Sequence, residues 1–161
     1  MLADEQIQEL IGLPKAIVNR SPPKGYREEN GNRRCDLDML DEDGNREFRV
    51  FVRQNVRFIR NFSIGLRYEA HEGNLTAITL ARYNGPHGET SRAQDEHYAL
   101  PHIHYITEAE IARGHVQPQE KFRQPTDRYY TLEEALPVFF QNTKTLNYID
   151  FFPDLRQGRL L

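Results

Sequence analysis

The chain has 161 residues, 38% of them apolar and 28% charged, with a formal net charge of -3 and one cysteine. That length suits one domain over residues 1–161, and the apolar content suffices for a core, which argues against disorder along the whole chain. A lone Cys35 excludes an intrachain disulfide or a thiolate metal cluster, no apolar run approaches the ~20 residues of a membrane span, and the acidic N-terminus predicts a cytoplasmic protein without a leader.

In chain order, Ile7, Leu10 and Ile11 fall at helical spacing and predict an N-terminal helix that Gly12 and Pro14 end. Residues 20–33 are turn formers and charges and read as a loop. The period then changes to two: Cys35, Leu37 and Met39 alternate with Asp36 and Asp38, and Asp41 to Asn45 reads as a hairpin turn. Phe48, Val50 and Val52 form the next apolar row, with Arg49, Phe51 and Arg53 on the opposite face. A third strand is predicted at Phe62, Ile64, Leu66 and Tyr68, and a fourth over residues 75–83 after a turn at His71 to Asn74. Residues 84–101 read as a long loop that returns to a short strand at His102 to Ile106. Thr107-Glu-Ala-Glu110 and Thr131-Leu-Glu-Glu134 are capping-box signatures for a short helix and for a C-terminal helix, in which Pro137 predicts a kink or an early end. Residues 115–130 read as polar connection. The expected fold is α+β: an antiparallel β-meander sheet of about five strands, with N-terminal and C-terminal helices packed on one face.

Charge is unevenly placed. Residues 46–67 carry six arginines and only one acid, Glu47. Arginine favours planar, bidentate recognition of phosphate, so Arg49, Arg53 and Arg67, on the face away from the apolar row and near Phe51 and Phe58, read as a platform for single-stranded nucleic acid. A solvated, salt-bridged sheet face is the plain alternative.

Four histidines crowd into the loop and the strand that follows it: His87, His97, His102 and His104. Imidazole is the side chain that exchanges protons near neutral pH and is the commonest metal ligand. On a strand, His102 and His104 project to one side, as a paired acid and base would require. If the fourth and last strands are neighbours, Arg82, Asn84 and His87 converge on them. The first chemical reading is metal-free RNA cleavage: imidazoles transfer protons, Arg82 stabilises the phosphate, Asn84 contacts substrate, and the 2′-OH attacks. A second is a mononuclear zinc site at His102, His104 and His87, or His97 in place of the last. The third is bracing, in which the histidines hold carbonyls within a non-catalytic binding protein. His71 and His115 read as surface residues, and Cys35 as a small core residue.

The run from Leu13-Pro-Lys15 through Leu80-Ala-Arg82-Tyr-Asn-Gly-Pro-His87 to Pro101-His102-Ile-His104 resembles an uncharacterised domain family of bacteria and phages, over most of the chain. More distantly it is similar to TumE-type toxins of toxin–antitoxin pairs, whose pattern Arg82, Asn84, His87, Pro101 and His102 approximate. His104 falls closer to His102 than the toxin pattern has it, and Asn84 stands where those families have Asp. The resemblance implies a small toxin-like protein acting on RNA, with an antitoxin protein as partner.

Overall fold

The structure is a computed structural model that describes residues 2–70, 77–86, 100–119 and 123–157. Its centre is one antiparallel sheet. The strands are β1 (Lys15–Ser21), β2 (Arg27–Glu29), β3 (Asn32–Asp41), β4 (Glu47–Asn55), β5 (Phe62–Glu69), β6 (Ile78–Asn84), β7 (His102–Tyr105) and β8 (Arg123–Pro125). They lie in the order β1-β3-β4-β5-β6-β7-β8, with β2 pairing β3 beyond the end of β1. Around them run α1 (Asp4–Gly12), α2 (Glu108–Ala112), α3 (Leu132–Asn142), α4 (Tyr148–Phe151) and α5 (Asp154–Gln157).

Alternation along the strands decides which face is covered. Cys35, Leu37 and Met39 of β3, Phe48, Val50 and Val52 of β4, and Ile64 and Leu66 of β5 are all buried in one cluster. Against them α1 buries Ile7, Leu10 and Ile11, and α3 buries Leu132, Ala135, Leu136, Phe139 and Phe140. Each fully buried side chain of this size contributes roughly 1.5–3 kcal/mol. Tyr83 extends the contact on β6, its ring meeting Phe139 edge-on at 5.2 Å while its hydroxyl accepts a bond from Asn142 Nδ2 at 2.7 Å.

Both helices sit on that one face, and Lys15 fastens their ends. Its Nζ, on a residue 0% exposed, donates to the carbonyls of Ile11 (2.8 Å), Leu13 (2.8 Å) and Thr143 (2.9 Å). These are carbonyls at or just beyond the C-terminal ends of α1 and α3, where the helices leave acceptors without intrahelical donors. Both capping boxes form: the hydroxyls of Thr107 and Thr131 accept from the N–H of Glu110 and Glu134.

The α+β class and the antiparallel order are as the sequence predicts, but about five strands is too few; the described residues form eight. The segment read as a loop, residues 20–33, holds the end of β1 and all of β2, and the polar stretch 115–130 holds β8. β1 is hard to read because its pairing slips between Ile17 and Asn19 and because a buried lysine occupies an inward position. Periodicity of two is lost where a bulge inserts a residue. β2 and β8 are three residues long, and β8 ends at Pro125, as suits the edge of a sheet. Pro137 does not end α3, since the helix continues to Asn142. The predicted turn at residues 71–74 lies outside the described residues.

Candidate functional site

The face of the sheet turned away from α1 and α3 carries polar side chains, and the register arranges them in rows that cross the strands. One row runs Arg27, Arg34, Arg53, Ser63, Asn84, His102 and Pro125. The next runs Asp36, Phe51, Gly65, Arg82 and His104. A third holds Asp38, Arg49, Arg67 and Thr79. Directly paired residues in an antiparallel sheet point to the same side. β6 and β7 are therefore neighbours, as the convergence of Arg82 and Asn84 on the histidines requires, with Arg82 opposite His104 and Asn84 opposite His102.

The two imidazoles meet edge-to-face, with ring centroids 4.9 Å apart and planes at 75°. Both are buried, at 1% exposure for His102 and 0% for His104. His102 Nδ1 lies 3.1 Å from the Leu100 carbonyl and His104 Nδ1 lies 3.3 Å from the Gln119 carbonyl. A carbonyl only accepts, so each Nδ1 carries the proton, and the neutral ring has its lone pair on Nε2. That tautomer suits a general base or a metal ligand, and the same carbonyl bonds suit a bracing role.

Residues 115–119 form a strap along β6 and β7. Thr79 N–H donates to the Val116 carbonyl (2.8 Å), Arg82 Nη1 to Gln117 Oε1 (3.4 Å), and Gln119 N–H to Glu110 Oε2 (2.7 Å). The other Glu110 oxygen accepts from the Thr107 N–H at 3.1 Å and its hydroxyl at 3.2 Å, which satisfies a carboxylate that is 1% exposed. On the covered side, Tyr129 Oη donates to the carbonyls of Asn84 (2.9 Å) and His102 (3.1 Å) and so pins the ends of β6 and β7 together. Burial pushes the Tyr129 hydroxyl above the ordinary tyrosine range, which keeps it a donor. Sequence reasoning missed Glu110 as more than a cap, and missed Gln119 and Tyr129 altogether. No local pattern distinguishes a capping glutamate that also holds a distant strap.

Asn84 is buried, and its Oδ1 accepts from Ser63 Oγ at 2.6 Å, so that oxygen is engaged inside the sheet face. Arg49, Arg53 and Arg67 do share this face. Arg49 Nε bonds Asp38 Oδ1 at 3.0 Å, which raises the guanidinium further above its ordinary range, and Arg67 Nη2 lies 3.2 Å from Glu69 Oε1. Arg53 instead lies over the Phe51 ring, 5.5 Å from its centroid. The remaining arginines of the group sit elsewhere: Arg46 pairs with Asp41 at the β3–β4 hairpin, and Arg60 lies over the Tyr130 ring. Phe58 is exposed in the β4–β5 connection.

His87 and His97 lie outside the described residues, as does His71. Of the zinc set His102, His104 and His87, only the first two are therefore described, and no group of three or more His, Cys, Asp or Glu side chains able to hold a metal occurs among the described residues. No helix among them is long and apolar enough to cross a membrane. Comparison with family models, with curated proteins and with solved structures finds no match to the chain. Functional inference accordingly rests on the site itself.

Proposed function

We propose that the protein is a toxin-like ribonuclease of the cytoplasm that cleaves RNA without a metal, using His102 and His104 for proton transfer beside Arg82. The observation that supports this reading is the register of β6 and β7, which sets two imidazoles 4.9 Å apart on the same face as an arginine and in line with the arginine rows. In the reaction one imidazole Nε2 takes the proton of a ribose 2′-OH, whose oxygen bonds to phosphorus as the bond from phosphorus to O5′ breaks. The other, protonated, imidazole gives its proton to O5′, leaving a cyclic phosphate and a 5′-hydroxyl. Arg82 stabilises the added charge on the phosphate oxygens. The likeness to TumE-type toxins suggests an antitoxin protein as the partner that restrains the activity.

Incubation of the purified protein with single-stranded RNA tests the reaction. The wild type is expected to release fragments ending in cyclic phosphate, DNA of the same sequence to remain whole, and the His102→Ala, His104→Ala double variant to be inactive while still folded. Growth arrest on expression, relieved by the neighbouring gene, is the corresponding result in cells. The near-complete burial of both rings favours a second reading, a non-catalytic binding protein in which the histidines brace the strap. Intact RNA with a correctly folded wild type, together with a large loss of stability in the double variant, would decide for bracing.

A further inference from the structure

A cavity of about 280 Å³ opens on the polar face, three to four strands away from the imidazoles, and Arg27, Arg34, Arg49, Arg67, Asp36 and Asp38 line it. Phe51 forms part of its floor. Its ring tip occupies the space above Gly65, where an added Cβ would stand only 2.2 Å from the ring.

The arrangement of charge is unusual for a solvated face. Arg27 stands directly opposite Arg34, Arg34 directly opposite Arg53, and Arg49 directly opposite Arg67. Like charges in such positions destabilise a sheet unless something offsets them. Asp36 does so in part, at 2.6 Å from Arg27 Nη2 and 3.3 Å from Arg34 Nε, and Asp38 holds Arg49. Glu29 and Glu69 reach Arg27 and Arg67 without lining the cavity. Four guanidinium groups and two carboxylates line the cavity, so an anion entering it meets twice as many donor groups as carboxylates, with Glu29 and Glu69 offsetting charge from outside the lining.

We infer that this cavity binds a phosphate monoester, and that its occupant is the 5′-terminal phosphate of a single-stranded RNA whose chain then follows the rows toward His102 and His104. A terminal phosphate carries about -1.5 to -2 near neutral pH, and so competes with the carboxylates for these guanidinium groups more strongly than the single charge of an internal phosphodiester. Guanidinium forks supply the bidentate donors that phosphate oxygens accept best. Phe51, with Arg53 against it, offers a surface for the first base. From β3 to β7 the sheet spans roughly 19 Å at ~4.8 Å per strand, a distance that a few nucleotides cover. The assignment of the occupant to RNA rests on the reading proposed above; the assignment of a phosphate does not.

Binding of a 2′-O-methylated oligonucleotide, which lacks the attacking hydroxyl, tests this apart from cleavage. The wild-type protein is titrated with matched strands bearing a 5′-phosphate or a 5′-hydroxyl, with adenosine monophosphate and inorganic phosphate as competitors. The phosphorylated strand is expected to bind on the order of tenfold more tightly. Arg49→Gln and Arg67→Gln should each remove most of that preference, and Asp38→Asn, which deletes a competing carboxylate, should enlarge it. A gain in Asp38→Asn is a response that loss of folding cannot imitate. Equal affinity for the two strands, with the monophosphate still bound, would overturn the strand assignment and leave a mononucleotide site. Equal affinity with neither competitor bound would overturn the site itself. Failure of the cleavage reaction would leave the preference for the phosphorylated strand untouched.

Discussion

Glu110 and His104 are joined through the backbone of Gln119. The carboxylate accepts the Gln119 N–H at 2.7 Å, and the carbonyl of the same residue accepts His104 Nδ1 at 3.3 Å. A residue that the sequence offers as a helix cap thus also fixes the ring orientation of a histidine on β7. Replacing Glu110 by Gln leaves Thr107 an acceptor but turns an NH2 group toward the Gln119 N–H. The expected loss is about 1–3 kcal/mol, the range for leaving a buried donor unsatisfied, read as a lower denaturant midpoint. The ¹⁵N shifts of the His104 ring should move with it. An unchanged ring spectrum would show that the strap holds without the carboxylate.

Tyr129→Phe removes the one hydroxyl that bridges the carbonyls of Asn84 and His102. The ring remains, stacked near Tyr83 at 6.1 Å and against Phe62 at 5.9 Å, so packing is retained. About 1 kcal/mol of stability should be lost. Amide exchange should quicken at the paired ends of β6 and β7 more than at β3 and β4. Uniform quickening across the sheet would contradict a local clamp.

The strands that the sequence made legible are those in which one face is apolar without interruption, as in Cys35, Leu37 and Met39 or Phe48, Val50 and Val52. β1 was hidden because Lys15, a charged residue, takes an inward place made tolerable by the nearby Ile11 carbonyl of α1 together with the Thr143 carbonyl, 128 residues away at the end of α3. The same limit applies to the site. His102 and His104 could be placed on one side from their spacing alone, and Arg82 and Asn84 could be joined to them once β6 and β7 were taken as neighbours. Their burial was not legible, since it depends on segments distant in sequence, and the opposition of Arg27, Arg34 and Arg53 depends on register, which composition does not specify.

Gly65, on the polar face, and Gly85, just beyond the end of β6, should respond differently to alanine. At Gly65 the added Cβ meets the tip of the Phe51 ring, which can swing outward, so the expected penalty is about 1 kcal/mol. At Gly85 it meets the backbone carbonyl of Arg60 at 2.1 Å, while the Gly85 N–H is held by the Phe62 carbonyl at 3.0 Å. Neither backbone can yield without opening the end of β6, and a penalty of roughly 3 kcal/mol is expected. Thermal unfolding of the two variants measures the contrast. Adding Phe51→Ala should rescue Gly65→Ala by relieving the shared clash, and should do nothing for Gly85→Ala.

Lys15 gives the fold a pH dependence whose sign is fixed by burial. Removal from water pushes its ammonium down to about 7, with Asp41 acting to raise it and Lys144 to lower it further. In the unfolded chain the group titrates near the ordinary lysine value of about 10.4. Between those two values the unfolded chain binds the proton that the folded chain releases, so stability rises with pH across that window. Below about 7 both states are protonated and the full penalty of burying the charge is present. Urea unfolding at intervals from about pH 6 to about pH 9 should therefore show an increasing midpoint. Lys15→Met should flatten the profile, and at the alkaline end of the window, where the wild type no longer buries a charge, it should lower stability by roughly 1–3 kcal/mol, because the carbonyls of Ile11, Leu13 and Thr143 lose their shared donor. A wild-type profile already flat across the window would mean that those three carbonyls hold the ammonium charged against its burial.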